Sequence, residues 1–265
     1  MDPTMTVKRF RLMKSKEKIA VLTAYDHLMA QLLDETGIDA ILVGDSVGMV
    51  VAGYGTTLPV TMDEIIYHAR TVRRGVRRAL VIGDMPFLSY QTSIADALRN
   101  AGRFLQEAGA EAVKVEGGRH MAETIQKMTR IGIPVMGHLG LTPQSIHQFG
   151  GYGIRGQSPE EAQCLLEDAR ILTESGCFSI VLEKIPSHLA RQITEQIDIP
   201  TIGIGAGPDC DGQVLVTHDL LGLFEEFRPK FVRRYAQLAE AMRGAFGNYI
   251  KDVKEGNFPG PEESY

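Results

Sequence analysis

A chain of 265 residues, 44% of them hydrophobic, is long enough to bury roughly three quarters of its unfolded surface, as one large α/β domain or two small ones. Its formal net charge of −5 excludes a general nucleic-acid or membrane-surface binder, since both depend on a basic face. The three cysteines, Cys164, Cys177 and Cys210, form no CxxC or Cys/His cluster and fit a reduced, cytoplasmic protein.

The N-terminal stretch MDPTMTVKRFRLMKSKEK lacks the apolar centre of a signal peptide, and no later run has the length of a membrane span. A soluble intracellular chain is expected. Short apolar runs then alternate with amphipathic stretches: IAVLTAYD (19–26), DAILVGDS (39–46), ALVIGDMP (79–86), EAVKVEGG (111–118), IPVMGHLG (133–140), FSIVLEKIP (178–186), IPTIGIGAG (199–207) and QVLVTHDLLG (213–222). Several helix starts are readable between them. Thr61 and Glu64 form a capping box, as do Ser158 and Glu161 with Pro159 at the first helical position, and Ser93 with Asp96 resembles a third start. The basic cluster ARTVRRGVRR (69–78) closes a helical pattern and reads as a solvated terminus, its arginines favoured by the negative end of the helix dipole.

Eight strand runs, each followed by helical material, predict a single-domain (β/α)8 TIM barrel over about residues 19–225. The rival is a doubly wound open sheet. It would carry GxGxxG after its first strand, whereas GIGAG (203–207) lies at the seventh run. Two connections, 46–59 and 138–157, are long for βα loops, and glycine-bearing loops of that length usually cover a site. A helical pattern near 230–254 and the Pro/Gly-rich tail GNFPGPEESY occupy the remainder, about 226–265.

The strand ends carry charge, which is where barrel enzymes keep their chemistry. Asp45, Asp84, Lys114, Glu116, His138 and Glu183 stand at or near the ends of runs two to six. An Asp after a strand is most often a turn residue, and a lone His there is as readily a hydrogen-bonded core group as a ligand. The set is harder to dismiss. Lys114 and Glu116 are two apart and share one strand face, while Val113 and Val115 turn to the other. If the valines face the helices, the charged pair points into the barrel, where Asp45 and Asp84 converge on it. Buried charges are rare unless paired or bound to metal. Three carboxylates with few sulfur or imidazole partners select a hard cation, Mg²⁺ before zinc. Such an ion can bind an α-keto acid and stabilise the enolate formed when a proton leaves the adjacent carbon. Glu183, at the end of an apolar run, is then the expected proton acceptor, with His138 the other candidate.

The stretches LTAYD, VGDSVGMVVAGYGTTLPVTMDEIIYHARTVRRG, DMPFLSYQTS, NAGRFLQEAGAEAVKVEGG, PVMGHLGLTPQSIHQFGGY and IPTIGIGAGPDCDGQVLVTHDLLG closely resemble the ketopantoate hydroxymethyltransferase family, in order and from about residue 6 to the tail. The resemblance implies a Mg²⁺-dependent barrel enzyme of pantothenate synthesis. It would move a hydroxymethyl group from 5,10-methylene-tetrahydrofolate to 3-methyl-2-oxobutanoate, giving 2-dehydropantoate. It places metal ligands on Asp45 and Asp84, with Glu116 supporting the metal directly or through water. Ser46, Lys114, Asp45 and Asp84 would meet the keto acid, and Glu183 would accept the proton. His138 is left as a supporting neighbour. The resemblance also implies a homo-oligomer, a decamer built from pentamers, in which the helix and tail beyond the barrel pack on a neighbouring copy.

Three other readings compete. The phosphoenolpyruvate mutase and isocitrate lyase group shares the barrel, the cation and the keto-acid chemistry, but carries a KKCGH-type loop that this sequence lacks. A sugar-phosphate barrel enzyme would use GIGAG as a phosphate nest, where a close-packed glycine turn is the plainer account. A non-catalytic keto-acid or folate binder would have no need of Asp84 and Glu183.

Overall fold

The eight apolar runs become eight parallel strands in a computed structural model that describes residues 4–226 and 228–265. They are β1 (Ile19–Thr23), β2 (Ala40–Val43), β3 (Leu80–Asp84), β4 (Ala112–Glu116), β5 (Val135–Gly140), β6 (Ser179–Glu183), β7 (Thr201–Ile204) and β8 (Gly212–Leu215). Each pairs with the next in sequence, and β8 returns to β1 with Ile19 opposite Gly212 and Leu22 opposite Leu215. The sheet is therefore a closed barrel, and the open doubly wound alternative is excluded.

Period-two alternation divides the strand side chains between two apolar layers. Ile41, Val43, Val81, Val113, Val115, Val135, Ile180 and Leu182 pack outward with helix residues such as Ile65, Val72, Phe104, Ile125 and Leu172. Ala40, Leu42, Leu80, Ile82, Ala112, Met136, Val181, Ile202 and Val214 fill the interior. Below them Phe10, from the N-terminal helix Val7–Leu12, meets Phe178 edge-on at 5.6 Å and plugs the end where the strands begin. Lys14 seals the same end, reaching Asp211 at 2.8 Å, while Asp211 accepts the Thr201 N–H at 2.9 Å.

The helix starts follow the sequence with one variation. Thr61 and Glu64 close a reciprocal capping box on the helix Met62–Gly75, and Ser93 accepts the Asp96 N–H. Ser158 likewise accepts the Glu161 N–H, but the Glu161 carboxylate is spent elsewhere, on the Gly156 N–H at 2.7 Å and on Arg155. The GIGAG turn after β7 is close-packed: Gly207 has φ 86°, and a Cβ there would stand 2.5 Å from the Ser187 Cβ.

The chain divides into two compact units, Met1–Leu215 with all eight strands and Val216–Tyr265. The second unit holds the helices Thr217–Leu220 and Leu238–Glu255, the latter ended by Gly256 at φ 72°. No helix among the described residues is long and apolar enough to cross a membrane.

All three cysteines are free; Cys177 and Cys210 are buried and Cys164 is exposed. Burial pushes the Cys177 thiol up to about 12 and raises that of Cys210 as well. A disulfide-exchange reagent is therefore expected to titrate a single thiol quickly in the native protein and all three after denaturation. Three fast thiols without denaturant would contradict this packing.

Candidate active site

On β3 to β6 the inward face changes from apolar to charged on approaching the C-terminal rim. On β3 it runs Leu80, Ile82, Asp84; on β4 Ala112, Lys114, Glu116; on β5 Met136, His138. Strand register then fixes the neighbours, with Asp84 opposite Lys114 and Glu116 opposite His138. On β6 the rim residue is Glu183, opposite Gly140. Gly140 has φ 93°, and a Cβ there would lie 2.2 Å from the Glu183 carbonyl, so only glycine allows β5 to turn this close to the next strand. Asp45 sits two residues beyond the end of β2, and its main-chain N–H reaches back to Asp84 Oδ2 at 3.2 Å.

Asp45, Asp84, Lys114, Glu116 and His138 are all buried. Lys114 Nζ lies 2.7 Å from Asp84 Oδ1, 3.7 Å from Glu116 Oε1 and 3.4 Å from His138 Nδ1. Charge inside a buried strand is tolerated here because it is mutual: the lysine and the carboxylates neutralise one another. Burial raises Asp45 well above the usual carboxylate range, and the charges on Asp84 and Glu116 add to the shift. Asp84 is raised by burial despite the pull of Lys114. At Glu116 burial works in the same direction, but His138 and Lys114 outweigh it and hold the carboxyl low. The Lys114 ammonium is stabilised against its own burial by Asp84, Glu116 and Asp45.

His138 bridges two acids. Its Nδ1 stands 3.2 Å from Glu116 Oε1 and its Nε2 3.3 Å from Glu183 Oε2. Burial and Lys114 oppose its protonation, yet the two glutamates push its pKa up to about 9. That shift favours the imidazolium over a free base. Glu183 differs from the others in being reachable, with 16% of its side chain exposed. Beside the rim, Ser46 shares a 2.8 Å hydrogen bond with the buried Tyr25 hydroxyl. The 138–157 connection begins inside β5 and forms the short turns Pro143–Ser145 and Ile146–Phe149. It is tied to the chain just after Glu183, where the Arg155 N–H donates to the Lys184 carbonyl at 2.9 Å and Lys184 Nζ donates to the Tyr152 carbonyl.

The donor set fits a hard divalent cation in part. Asp84 Oδ1 and Glu116 Oε1 are buried acceptors with no directed hydrogen bond; they meet Lys114 and His138 only as charge contacts. Yet among the described residues no three His, Cys, Asp or Glu side chains are gathered as a complete metal cage. Mg²⁺ is commonly held by one or two carboxylates with water and substrate in its remaining positions, so two aspartates at a rim match that ion and not zinc.

Sequence reasoning missed two of the buried polar groups at this rim. Gln144 touches the carboxylates directly, donating to Asp45 Oδ2 at 3.0 Å as well as to the Met85 carbonyl at 2.9 Å, and the Tyr90 hydroxyl meets Gln144 Oε1 at 2.7 Å and the Glu116 main chain. They stand in the stretches LTPQS and DMPFLSY, but as single uncharged residues in loops they carry no periodic signal.

The family profile described as Ketopantoate hydroxymethyltransferase matches residues 4–261. The chain is 58% identical over 268 residues to a 3-methyl-2-oxobutanoate hydroxymethyltransferase of Chlorobaculum parvum, covering 99% of this chain and 97% of that one. It is 57% identical to the enzyme of the same name from Syntrophus aciditrophicus, covering 98% and 96% of the two chains. Among solved structures, 2,3-dimethylmalate lyase, a PEP mutase/isocitrate lyase superfamily member, aligns with TM-score 0.62 over 99% of this chain and 92% of that one. At 18% identity, that likeness concerns the barrel alone.

Proposed function

The chain belongs to the ketopantoate hydroxymethyltransferase family and is an enzyme that transfers a hydroxymethyl group to 3-methyl-2-oxobutanoate in pantothenate biosynthesis; we propose that the charged rim of the barrel is where it does so. The observation that carries this reading is the register-fixed cluster Asp84, Lys114, Glu116, His138, with Glu183 on the next strand.

In this reading Asp45 and Asp84 hold Mg²⁺, and Glu116 supports it directly or through water. When bound, that cation supplies Lewis-acid polarisation of the keto oxygen. Ser46 and Lys114, together with the two aspartates, receive the keto acid, the ammonium offsetting its carboxylate. Glu183 takes the C3 proton, and it is suited to this because it alone of the rim carboxylates is partly open to a ligand. His138, 3.3 Å away and held toward its cationic form by the two glutamates, orients the Glu183 carboxylate and is the poorer proton acceptor. The enolate carbon forms a C–C bond to the one-carbon unit of 5,10-methylene-tetrahydrofolate while that carbon's two bonds to the folate nitrogens are broken. Water supplies the hydroxyl oxygen, the folate nitrogens take up the protons, and tetrahydrofolate and 2-dehydropantoate leave. Incubating the protein with the keto acid, the folate and Mg²⁺ should yield that product. Turnover of a phosphonate or 2-hydroxy-acid lyase substrate in its place would favour the mutase and lyase reading.

The same reading makes the protein a cytoplasmic homo-oligomer, a decamer. Its support lies in the helix Leu238–Glu255, which has no buried residue. Met242, Phe246, Tyr249, Ile250 and Val253 are all exposed, and their spacing of three and four puts them on one face. Light scattering at micromolar concentration should give about ten times the 29.1 kDa chain mass, falling when Phe246 and Ile250 are both changed to Asp. A monomeric mass for the unaltered protein would overturn it.

A further inference from the structure

We infer that Gln144, held by Tyr90, is a positioning residue that decides which oxygen of Asp45 and of Glu116 is offered to a divalent cation. The inference rests on the metal reading and concerns how the two carboxylates are aimed.

Each of the three buried rim carboxylates, Asp45, Asp84 and Glu116, has one oxygen on an N–H group. Asp84 Oδ2 accepts from the Asp45 main chain at 3.2 Å, Glu116 Oε2 accepts from the Gln144 main chain at 3.0 Å, and Asp45 Oδ2 accepts from Gln144 Nε2 at 3.0 Å. One residue therefore anchors carboxylates arriving from two separate strands. In Asp84 and Glu116 the oxygen opposite the anchor has no directed hydrogen bond and meets only the Lys114 and His138 side chains, at 2.7 and 3.2 Å, as charge contacts.

The amide of Gln144 can perform this only if it cannot flip, and its surroundings fix it. Its Nε2 side faces the Met85 carbonyl at 2.9 Å, which can only accept, in addition to Asp45. Its Oε1 side faces the Tyr90 hydroxyl at 2.7 Å and Gln91 Nε2 at 3.1 Å, so all four hydrogen bonds of the amide are made. The direction of the Tyr90 bond is also fixed. That hydroxyl accepts the Glu116 N–H at 3.0 Å and sends its proton to Gln144, 2.7 Å away, in preference to the Glu116 carbonyl at 3.4 Å. A polarised path thus runs from the Glu116 main chain through Tyr90 and Gln144 to the Asp45 carboxylate. Tyr90 and Gln144 are both buried, so no water competes for these bonds.

Gln144→Met keeps the length of the side chain and removes both donors and the acceptor; Tyr90→Phe removes the proton that fixes the amide. The test is calorimetric binding of Mn²⁺ alone to the full-length protein, with the thermal midpoint of the metal-free protein measured alongside. Removing a group that orients a ligand typically costs about 10–100-fold, so Gln144→Met should weaken Mn²⁺ binding at least about tenfold, and Tyr90→Phe should weaken it in the same direction. Because the two act in one path, the double variant should bind within about twofold of Gln144→Met. Metal binding by Gln144→Met equal to that of the parent overturns the inference. So does an additive double variant, or a loss seen only together with a collapsed thermal midpoint while Tyr90→Phe binds normally. Asp84→Asn separates the two levels: if it too binds Mn²⁺ normally, the metal reading itself fails, whereas weak binding by Asp84→Asn with normal binding by Gln144→Met removes only the role of Gln144.

Discussion

Glu183→Gln is expected to bind Mg²⁺ and 3-methyl-2-oxobutanoate yet exchange the C3 proton of the keto acid with deuterated water at least about 100-fold more slowly than the parent, the usual cost of removing a general base. The substitution is isosteric and leaves an amide oxygen facing His138 Nε2, so the local fold should be retained. The alternatives are poorly placed to accept the proton. Asp45 and Asp84 are enclosed and assigned to the cation, Lys114 is held as an ammonium by the carboxylates around it, and His138 is pushed up to about 9 by its two glutamates, toward its protonated form. His138→Asn should slow exchange less, because it removes the group that orients the base and not the base. Exchange monitored by NMR without folate isolates this step from transfer. Should Glu183→Gln exchange at the parental rate while His138→Asn fails, the two roles are reversed.

Asp45→Ala and Asp84→Ala are each expected to lose at least about 100-fold in turnover and to bind Mn²⁺ weakly, but their effects on the metal-free fold should differ in sign. Asp45 is crowded by Asp84 and Glu116 and is raised by burial, so deleting it relieves repulsion, and the thermal midpoint should hold or rise. Asp84 is the 2.7 Å partner of the buried Lys114 ammonium and accepts the Asp45 N–H. Deleting it removes the nearest of the carboxylates that compensate the buried ammonium, a loss of up to about 3–5 kcal/mol when one half of a buried pair is removed. The midpoint of Asp84→Ala should therefore drop clearly. Normal turnover of either variant at saturating Mg²⁺ would place the metal elsewhere, and equal midpoints would contradict the electrostatics assigned to the rim.

Most of the barrel is legible in the sequence because its cause is local. The eight runs carry their own strand composition, and the alternation of Ala112, Lys114 and Glu116 against Val113 and Val115 by itself marks which face looks inward. The charged strand ends are legible for the same reason. The pairings among them are less so, since they depend on register between strands separated by whole helices: Asp84 opposite Lys114, and Glu116 opposite His138. His138 reads as an uncommitted polar residue because nothing in its own strand reveals Glu116 on one side and Glu183 on the other. Glu183 is expected at the end of an apolar run, and it stands there, but beside an imidazolium and partly exposed instead of enclosed by apolar groups. Gln144 and Tyr90 are invisible as partners. Their hydrogen bond joins segments 54 residues apart, and only the closed barrel brings them together.

Cation-assisted enolisation at the barrel rim is tested most directly by C3 deuterium exchange in chelator-stripped enzyme. Exchange should fall to the uncatalysed rate without a divalent cation, return on adding Mg²⁺, and fail to return in Asp84→Asn. Full exchange in the metal-free enzyme, unchanged by Asp84→Asn, would contradict it.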